Sequence, residues 1–535
     1  MTEEIKTDYL IAGAGIAGIL LASKLAATGK KVLILDQGPR FTEEDRAGML
    51  QKGKETLNDY ADYNDGTDPA LLTPLASAPP GGDVVAWDNY RLFGIGGTAL
   101  HFEGIMVRPL EEDLKVRTLY GYGRDWPVTY SELEPWLLDA EKETGVAGGD
   151  DNPYASWRSA SFPMPPHPFS YFDREILKPA LKRLGILGHS CPRAINSRQY
   201  RGRSPCMACR VCKFCPSGAR YSPDRVHFPA LEGHPNVSIL EKASLRLLET
   251  GPRGKRIEAA HLVRVQDRSP VVVRAGQYVM AMGGVETPRM LMLSAGSGGH
   301  REGLGNMGGQ LGRSFSDHFN PYVTFDAGRP VGSRLGFETM VSDHFRAGVD
   351  RRKEPTFMIF AAPAMDWFPI GYDAAAWATR GNVLSLDELR QSIPRMATLS
   401  LMTELEGKGT LELDPEKTDA FGSPVAKVTM RLSDWDRRSI KAFAGLAPDI
   451  AEAMGAKHVS GVSSELGMGY HPSGASAMAS TPDKGVCDQD LKVFGLENLY
   501  LVGNSVFPHM GANPPTLTIA ALALRLAAHL RGRTV

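Results

Sequence analysis

The chain has 535 residues, enough for two to four domains and a large buried core. Its composition is that of an ordinary soluble protein, 42% apolar and 23% charged, and 60 Lys+Arg against 61 Asp+Glu leave a formal net charge of −1. That balance gives no basic footprint for nucleic acid or an anionic membrane, and no stretch reaches the roughly eighteen apolar residues of a spanning helix.

The N-terminal octet Met1–Asp8 is acidic and runs straight into a strand, unlike a secretory leader, so assembly in the cytoplasm is the expectation. Tyr9–Ala12 is an apolar strand, followed by Gly13-Ala14-Gly15-Ile16-Ala17-Gly18 and an apolar helix to about Ala27. Lys31–Leu35 is a second strand, ending at Asp36. Strand, three glycines, helix, strand and acid in this order predict a dinucleotide-binding βαβ unit. Gly13 and Gly15 let the backbone turn and approach a pyrophosphate, Gly18 lets helix and strand pack closely, and Asp36 is placed to hold ribose hydroxyls. Residues 40 to 90 are polar, with Pro79-Pro80-Gly81-Gly82 as a loop. A second glycine-rich turn, Gly94-Ile95-Gly96-Gly97-Thr98, leads into Ala99–Gly104.

Residues from about 150 to 225 are rich in Pro, Arg and Cys and predict an irregular insert organised by a metal site. Four of the six cysteines fall in ten residues, Cys206, Cys209, Cys212 and Cys215, with Pro216 following. So tight a run does not suit a disulfide framework but does suit iron and inorganic sulfide, differing from the bacterial-ferredoxin pattern only in its last gap. A structural zinc site, which usually takes two separated cysteine pairs, is the alternative, and inert or redox-labile thiols are a third reading. Cys191 and Cys487 read as buried small hydrophobes, Cys191 being near enough in sequence to serve as a spare ligand.

Val271–Arg274 and Gln277–Ala281 predict strands before the turn Gly283-Gly284. Between about 320 and 460, strand-like runs at Thr356–Ala361, Ala397–Glu404, Lys408–Leu413 and Ala426–Met430 predict a separate antiparallel sheet, and Asp434–Met454 has helical spacing. The chain closes with the strand Leu499–Val502, a glycine-rich loop and a helix from Thr516 to about Leu530. The nucleotide domain is therefore expected to be assembled from both ends of the chain and a middle piece.

These ordered motifs resemble the glucose–methanol–choline family of flavoprotein oxidoreductases nearly end to end. Gly96-Gly97-Thr98 is similar to the family's flavin-contacting turn, and Asp125-Trp126-Pro127 with Leu133–Trp136 to the segment after it. Gly283–Arg289, Gly312-Arg313 with Asp317-His318, His471-Pro472-Ser473-Gly474 and Gly511–Thr518 complete the set. The resemblance implies an α/β protein, α+β overall, with a Rossmann-like FAD-binding domain, an antiparallel-sheet substrate domain and an irregular iron–sulfur insert. It implies FAD-binding pieces at 1–110, 226–315 and 461–535, a flavin lid and start of the substrate domain at 111–150, the cysteine insert at 151–225, and the substrate-binding sheet at 316–460. Gly13, Gly15, Gly18, Asp36, Gly96, Gly97, Thr98, His101, Asn504 and Thr516 are the expected FAD contacts.

Oxidising an alcohol with a flavin requires removal of the hydroxyl proton and of the carbinol hydride, and a neutral histidine is the natural base. His471 stands where relatives carry that base, and Asn513 matches the family position that hydrogen-bonds the same hydroxyl. Asn513 also suits a cap for the last helix. His101 has the spacing at which pyranose oxidases bond the flavin covalently; packing or hydrogen bonding is the other reading. His318 is expected to be structural. Glu404 either faces substrate hydroxyls or is an exposed strand-end carboxylate, and Tyr470 and Trp367 are candidate sugar-stacking surfaces or core aromatics.

Cys215-Pro216-Ser217-Gly218-Ala219 resembles the catalytic subunits of bacterial FAD-dependent glucose dehydrogenases and glucoside 3-dehydrogenases. There the insert carries a [3Fe–4S] cluster; [4Fe–4S] is also compatible with four cysteines. The expected reaction is oxidation of a sugar or glycoside hydroxyl at C3 or C1, with electrons relayed to an acceptor such as a cytochrome c. Relatives are exported on a small chaperone-like subunit with a twin-arginine signal, so a periplasmic site by that route and a cytoplasmic one both remain open. The rival readings are a peroxide-forming oxidase of the pyranose-oxidase type and a non-catalytic electron-transfer or assembly subunit.

Overall fold

In a computed structural model, Glu3–Ala12 is the organising strand of a seven-stranded sheet. The structure describes residues 2–56, 73–87, 91–209, 211–332, 337–354, 356–363, 391–456, 458–459 and 470–532. Tyr9–Ala12 is buried on successive residues rather than alternately, the pattern of a parallel strand covered on both faces. Val32–Leu35 lies parallel on one side (Tyr9 opposite Val32) and Pro270–Met280 parallel on the other (Leu10 opposite Tyr278). Val237–Leu240 extends the sheet beyond Val32–Leu35, and Leu499–Leu501 joins parallel to Pro270–Met280. Ile257–Arg264 and Ala243–Thr250 add an antiparallel flank. The sheet thus draws on both chain ends and a middle piece.

Helices Ile16–Ala26 and Thr516–Leu530, 500 residues apart in sequence, pack together on this sheet. Gly18 makes the first approach to the strand work: a Cβ there would lie 1.9 Å from the Gly13 carbonyl oxygen. Leu20, Leu21, Leu25, Leu517, Leu522 and Leu526 are among the side chains filling the layer between.

The remaining predicted strands fall into two sheets rather than one. Phe357–Pro363, Met396–Thr403, Tyr322–Asp326 and His458–Val459 form an antiparallel sheet. Helix Asp434–Ala453 covers it with Phe443, Ala447 and Ile450. Pro424–Arg431 pairs instead with Thr410–Thr418 on one side and Leu75–Ser77 on the other, which adds a parallel edge from the polar stretch of residues 40 to 90. The two runs at 271–274 and 277–281 are one strand, Pro270–Met280, since Gly276 continues the register beside Asp8. Glu43–Thr56 is a helix inside the polar stretch of residues 40 to 90. It lacks an apolar stripe, but Thr42 and Asp45 cap it reciprocally and Glu43 and Glu44 complement its dipole.

The cysteine insert is largely irregular; its regular pieces are a helical stretch, Asp173–Leu177 continuing as Lys178–Arg183, the short strand His189–Ser190 paired with Met340–Val341, and the start of the short helix Pro223–Val226. What holds it is a set of buried polar groups. The Asn196 amide donates to the carbonyls of Tyr200 and Arg203, and Arg203 to those of Thr144 and Ala219. Cys191 and Cys487 are buried. Among the described residues no helix is long and apolar enough to cross a membrane.

Candidate active site

A cavity of about 250 Å³ runs along the carboxyl ends of the central strands. Gly13, Gly15 and Asp36 line one end, Gly97, Thr98 and Phe102 the wall, and His471, Asn504 and Thr516 the other side. Three helices, Ile16–Ala26, Gly283–Leu293 and Thr516–Leu530, begin at this cavity without a side-chain cap. Their first-turn N–H groups are unpaired within the helix, and the dipoles make the cavity electropositive, which suits a diphosphate. The Asp36 carboxylate accepts from the N–H groups of Ala14 (2.8 Å) and Gly38 (2.9 Å). Burial lifts its pKa above the usual carboxylate range even though these two hydrogen bonds act to lower it.

Of the expected flavin contacts, Gly18 and Gly96 act behind the wall, as packing and turn residues. His101 does not line the cavity, whereas its neighbours Ala99 and Phe102 do. Tyr470 lies at the rim and is partly exposed; Trp367 lies outside the described residues. The remaining predicted contacts meet around one space, a cradle that fits FAD. Asp36→Ala removes a charged acceptor and leaves two N–H groups unpaired, so FAD affinity is expected to fall by about 10- to 100-fold. The flavin-to-protein absorbance ratio after gel filtration measures it.

His471 reaches the cavity on a turn seated against the start of helix Gly283–Leu293, where a Cβ on Gly284 would lie 1.9 Å from the Pro472 carbonyl oxygen. One Asp317 oxygen accepts from the backbone N–H groups of both His318 (2.7 Å) and His471 (3.0 Å), and the other from the Trp87 indole (2.9 Å). The two imidazoles meet Nδ1 to Nδ1 at 2.9 Å, and His318 Nε2 is 2.7 Å from the Gly511 carbonyl. Burial pushes the His318 pKa down to about 4, and burial together with His318 takes that of His471 well below the ordinary histidine value. Both rings are therefore neutral near pH 7.

Asn513 does not line the cavity and does not cap the last helix, whose cap position is Pro515. Its Oδ1 accepts from Arg346 Nη2 at 3.1 Å. Arg346 is also paired with Asp343 and Asp113. Asp113 in turn pairs with Arg351 at 2.8 Å, and Arg351 lies 3.7 Å from Glu404. Glu404 accepts from Tyr122 and is bonded to the His509 ring. Glu404 is thus fully buried, neither a substrate contact nor an exposed strand end. Burial works to raise its pKa, but Arg351 and His509 outweigh burial and hold it low. Sequence reasoning missed this network; only the Asp317-His318 pair carried a local signal.

Cys206, Cys212 and Cys215 pack on an apolar floor of Ile195, Ala219 and Phe337, while Cys209 is exposed. Ala208 N–H donates to Cys206 Sγ (3.4 Å) and Arg220 N–H to Cys215 Sγ (3.2 Å). The Arg220 guanidinium donates to the carbonyls of Cys212 and Lys213 in the loop and of Ala99 and Leu100 in the cavity wall. The cysteine loop therefore hangs directly on the flavin-side turn. Burial pushes the Cys212 thiol up to about 12 and raises that of Cys206. Among the described residues no group of three or more His, Cys, Asp or Glu is placed to hold a metal ion.

GMC oxidoreductase models match residues 167–320 and 406–523, and an NAD(P)-binding Rossmann-like model matches residues 11–64. The fructose dehydrogenase large subunit of Gluconobacter japonicus is 30% identical over 552 aligned positions, covering 98% of each chain. The chain belongs to the GMC oxidoreductase family. As a family member it is an FAD-dependent oxidoreductase acting on CH–OH donors. The gluconate 2-dehydrogenase flavoprotein of Pantoea cypripedii is 24% identical over 98% of this chain and 94% of its own. Among solved structures, a formate oxidase (TM-score 0.67, 16% identity, 99% of both chains) and pyridoxine 4-oxidase from Mesorbium loti (TM-score 0.65, 19% identity, 99% and 100%) share the GMC fold.

Proposed function

We propose that this GMC oxidoreductase is a sugar or glycoside dehydrogenase in which His471 takes the hydroxyl proton. The observation that carries the reading is a half-buried imidazole at the FAD cavity, its pKa held well below the ordinary histidine value by burial and His318. FAD, when bound, supplies the acceptor for the carbinol hydride. His471 Nε2 makes no hydrogen bond to a described residue and is free to accept a proton. Asn513 stands behind the cavity lining, its carbonyl oxygen held by Arg346 and one amide N–H given to the Pro514 carbonyl, so only its second N–H is left for the same hydroxyl oxygen. The sugar is taken between His471 and the antiparallel sheet of Phe357–Pro363, Met396–Thr403, Tyr322–Asp326 and His458–Val459. Relatives named as fructose and gluconate dehydrogenases support the substrate class.

The reading includes an iron–sulfur cluster, [3Fe–4S] in preference to [4Fe–4S], which cysteines of the run Cys206, Cys209, Cys212 and Cys215 would hold and which would supply one-electron transfer towards a cytochrome-type acceptor. Three features support it: two cysteine sulfurs, Cys206 and Cys215, that accept N–H···S hydrogen bonds, the departure of exposed Cys209 from the other three, and the Arg220 link to the cavity wall. A relative designated a large subunit also favours an assembly with partner subunits. Purified protein is expected to carry about three irons and labile sulfide per flavin, and to reduce ferricyanide with D-fructose, D-glucose or methyl α-D-glucoside far faster than it forms peroxide. Cys215→Ser is expected to lose the iron while keeping flavin. Iron-free, peroxide-forming enzyme would favour an oxidase with structural cysteines.

A further inference from the structure

We infer that His318 is a positioning residue that fixes which nitrogen of His471 carries the proton. The inference rests on the reading of His471 as base. The Gly511 carbonyl can only accept, so His318 Nε2, 2.7 Å away, must carry hydrogen. His318 is fully buried, and a neutral ring protonated at Nε2 presents a lone pair at Nδ1. That lone pair faces His471 Nδ1 at 2.9 Å, so the single hydrogen between the rings belongs to His471 Nδ1. His471 Nε2 is then unprotonated, the form a base needs. One carbonyl thus determines the polarity of two rings in series, and Asp317 holds both backbones so that the chain cannot slip. The opposite tautomer of His471 would set two lone pairs against each other at Nδ1 and a hydrogen where the substrate hydroxyl must donate. The same connection serves turnover: when His471 takes a proton at Nε2, the charge is shared through the Nδ1 hydrogen bond to an acceptor that no water reaches.

The test compares His318→Phe with His318→Asn, with kcat expressed per bound flavin and measured by ferricyanide reduction on whichever of D-fructose, D-glucose or methyl α-D-glucoside the wild type oxidises fastest. Phenylalanine keeps the ring volume but offers no lone pair; the asparagine amide oxygen can accept from His471 Nδ1. Phenylalanine is expected to lower kcat by about 10²–10⁴-fold with KM changed less than about threefold, and asparagine to recover at least about tenfold of that loss. Equal kcat per flavin in the two variants, whether high or low, would overturn the inference, since a packing role does not distinguish an acceptor from a ring. His471→Gln is measured alongside: if it keeps wild-type kcat, the base reading itself fails, whereas a large loss there with equal His318 variants removes only the positioning role.

Discussion

Replacing His471 with alanine is expected to lower kcat by about 10²–10⁴-fold while FAD remains bound, the range over which a positioned general base contributes. Flavin retention follows from the geometry, because the cradle is built from Gly13, Gly15, Asp36 and three helix starts, most of it remote from the 471–474 turn. The loss in kcat follows because, among the described residues, His471 is the one histidine that lines the cavity. His318 is turned to His471 and Gly511, and His509 is bonded to Glu404. The same environment gives a pH signature. Burial and His318 depress the His471 pKa, so the unprotonated base persists as pH falls below the ordinary histidine value of about 6.5. Wild-type kcat/KM is therefore expected to stay level through that pH and to fall only in more acidic solution, and the alanine variant to lose this limb. Steady-state rates between pH 4.5 and 8 measure both.

The second large effect is on stability. Arg351 is fully buried between Asp113 and Glu404, with Arg346, Tyr122 and His509 completing the cluster. Arg351→Met removes the cation that compensates two buried carboxylates, and breaking a buried ion pair on one side costs about 3–5 kcal/mol. Neutralising the carboxylates as well, with Asp113→Asn and Glu404→Gln, is expected to restore a large part of it. Urea unfolding followed by tryptophan fluorescence reads the difference. The pH dependence has a definite sign. Burial acts to raise the pKa of both carboxyls, but Arg351 and its neighbours hold them below their unfolded values. Their stabilisation is then complete above about pH 4.3 and is lost as pH falls through the depressed values. The Arg351→Met variant is expected to lack that acid-side dependence.

What the sequence made legible is what its neighbours in the chain determine. The strand, glycines and acid of residues 9–36 form a local unit, and the structure brings Gly13, Gly15 and Asp36 to one cavity. The closing helix and Asp434–Ala453 follow from apolar spacing. Glu43–Thr56 escaped because it has no apolar period, although Thr42 and Asp45 carried its cap. Thr410–Thr418 and Pro424–Arg431 read correctly as strands but were given the wrong sheet, since the partner Leu75–Ser77 lies over 300 residues away. The charged cluster behind the site joins positions 113, 346, 351, 404 and 509, and no local pattern connects them. Glu404 illustrates the cost: alone it is a strand-end carboxylate, and only Arg351 and His509 make its burial tolerable. His471 was legible through family resemblance, while the orientation of its ring depends on a carbonyl 40 residues further on.

The most direct measurement is the anaerobic flavin absorbance of wild type and His471→Ala after mixing with D-fructose, D-glucose or methyl α-D-glucoside. The wild-type flavin band is expected to bleach with at least one of the three, and the alanine variant to bleach with the same sugar about 10²–10⁴-fold more slowly. Methyl glucoside has no free anomeric hydroxyl, so bleaching by it places the reaction at a ring hydroxyl other than C1. A wild-type flavin that none of the sugars reduces, or an alanine variant that is reduced as fast as wild type, would contradict the account.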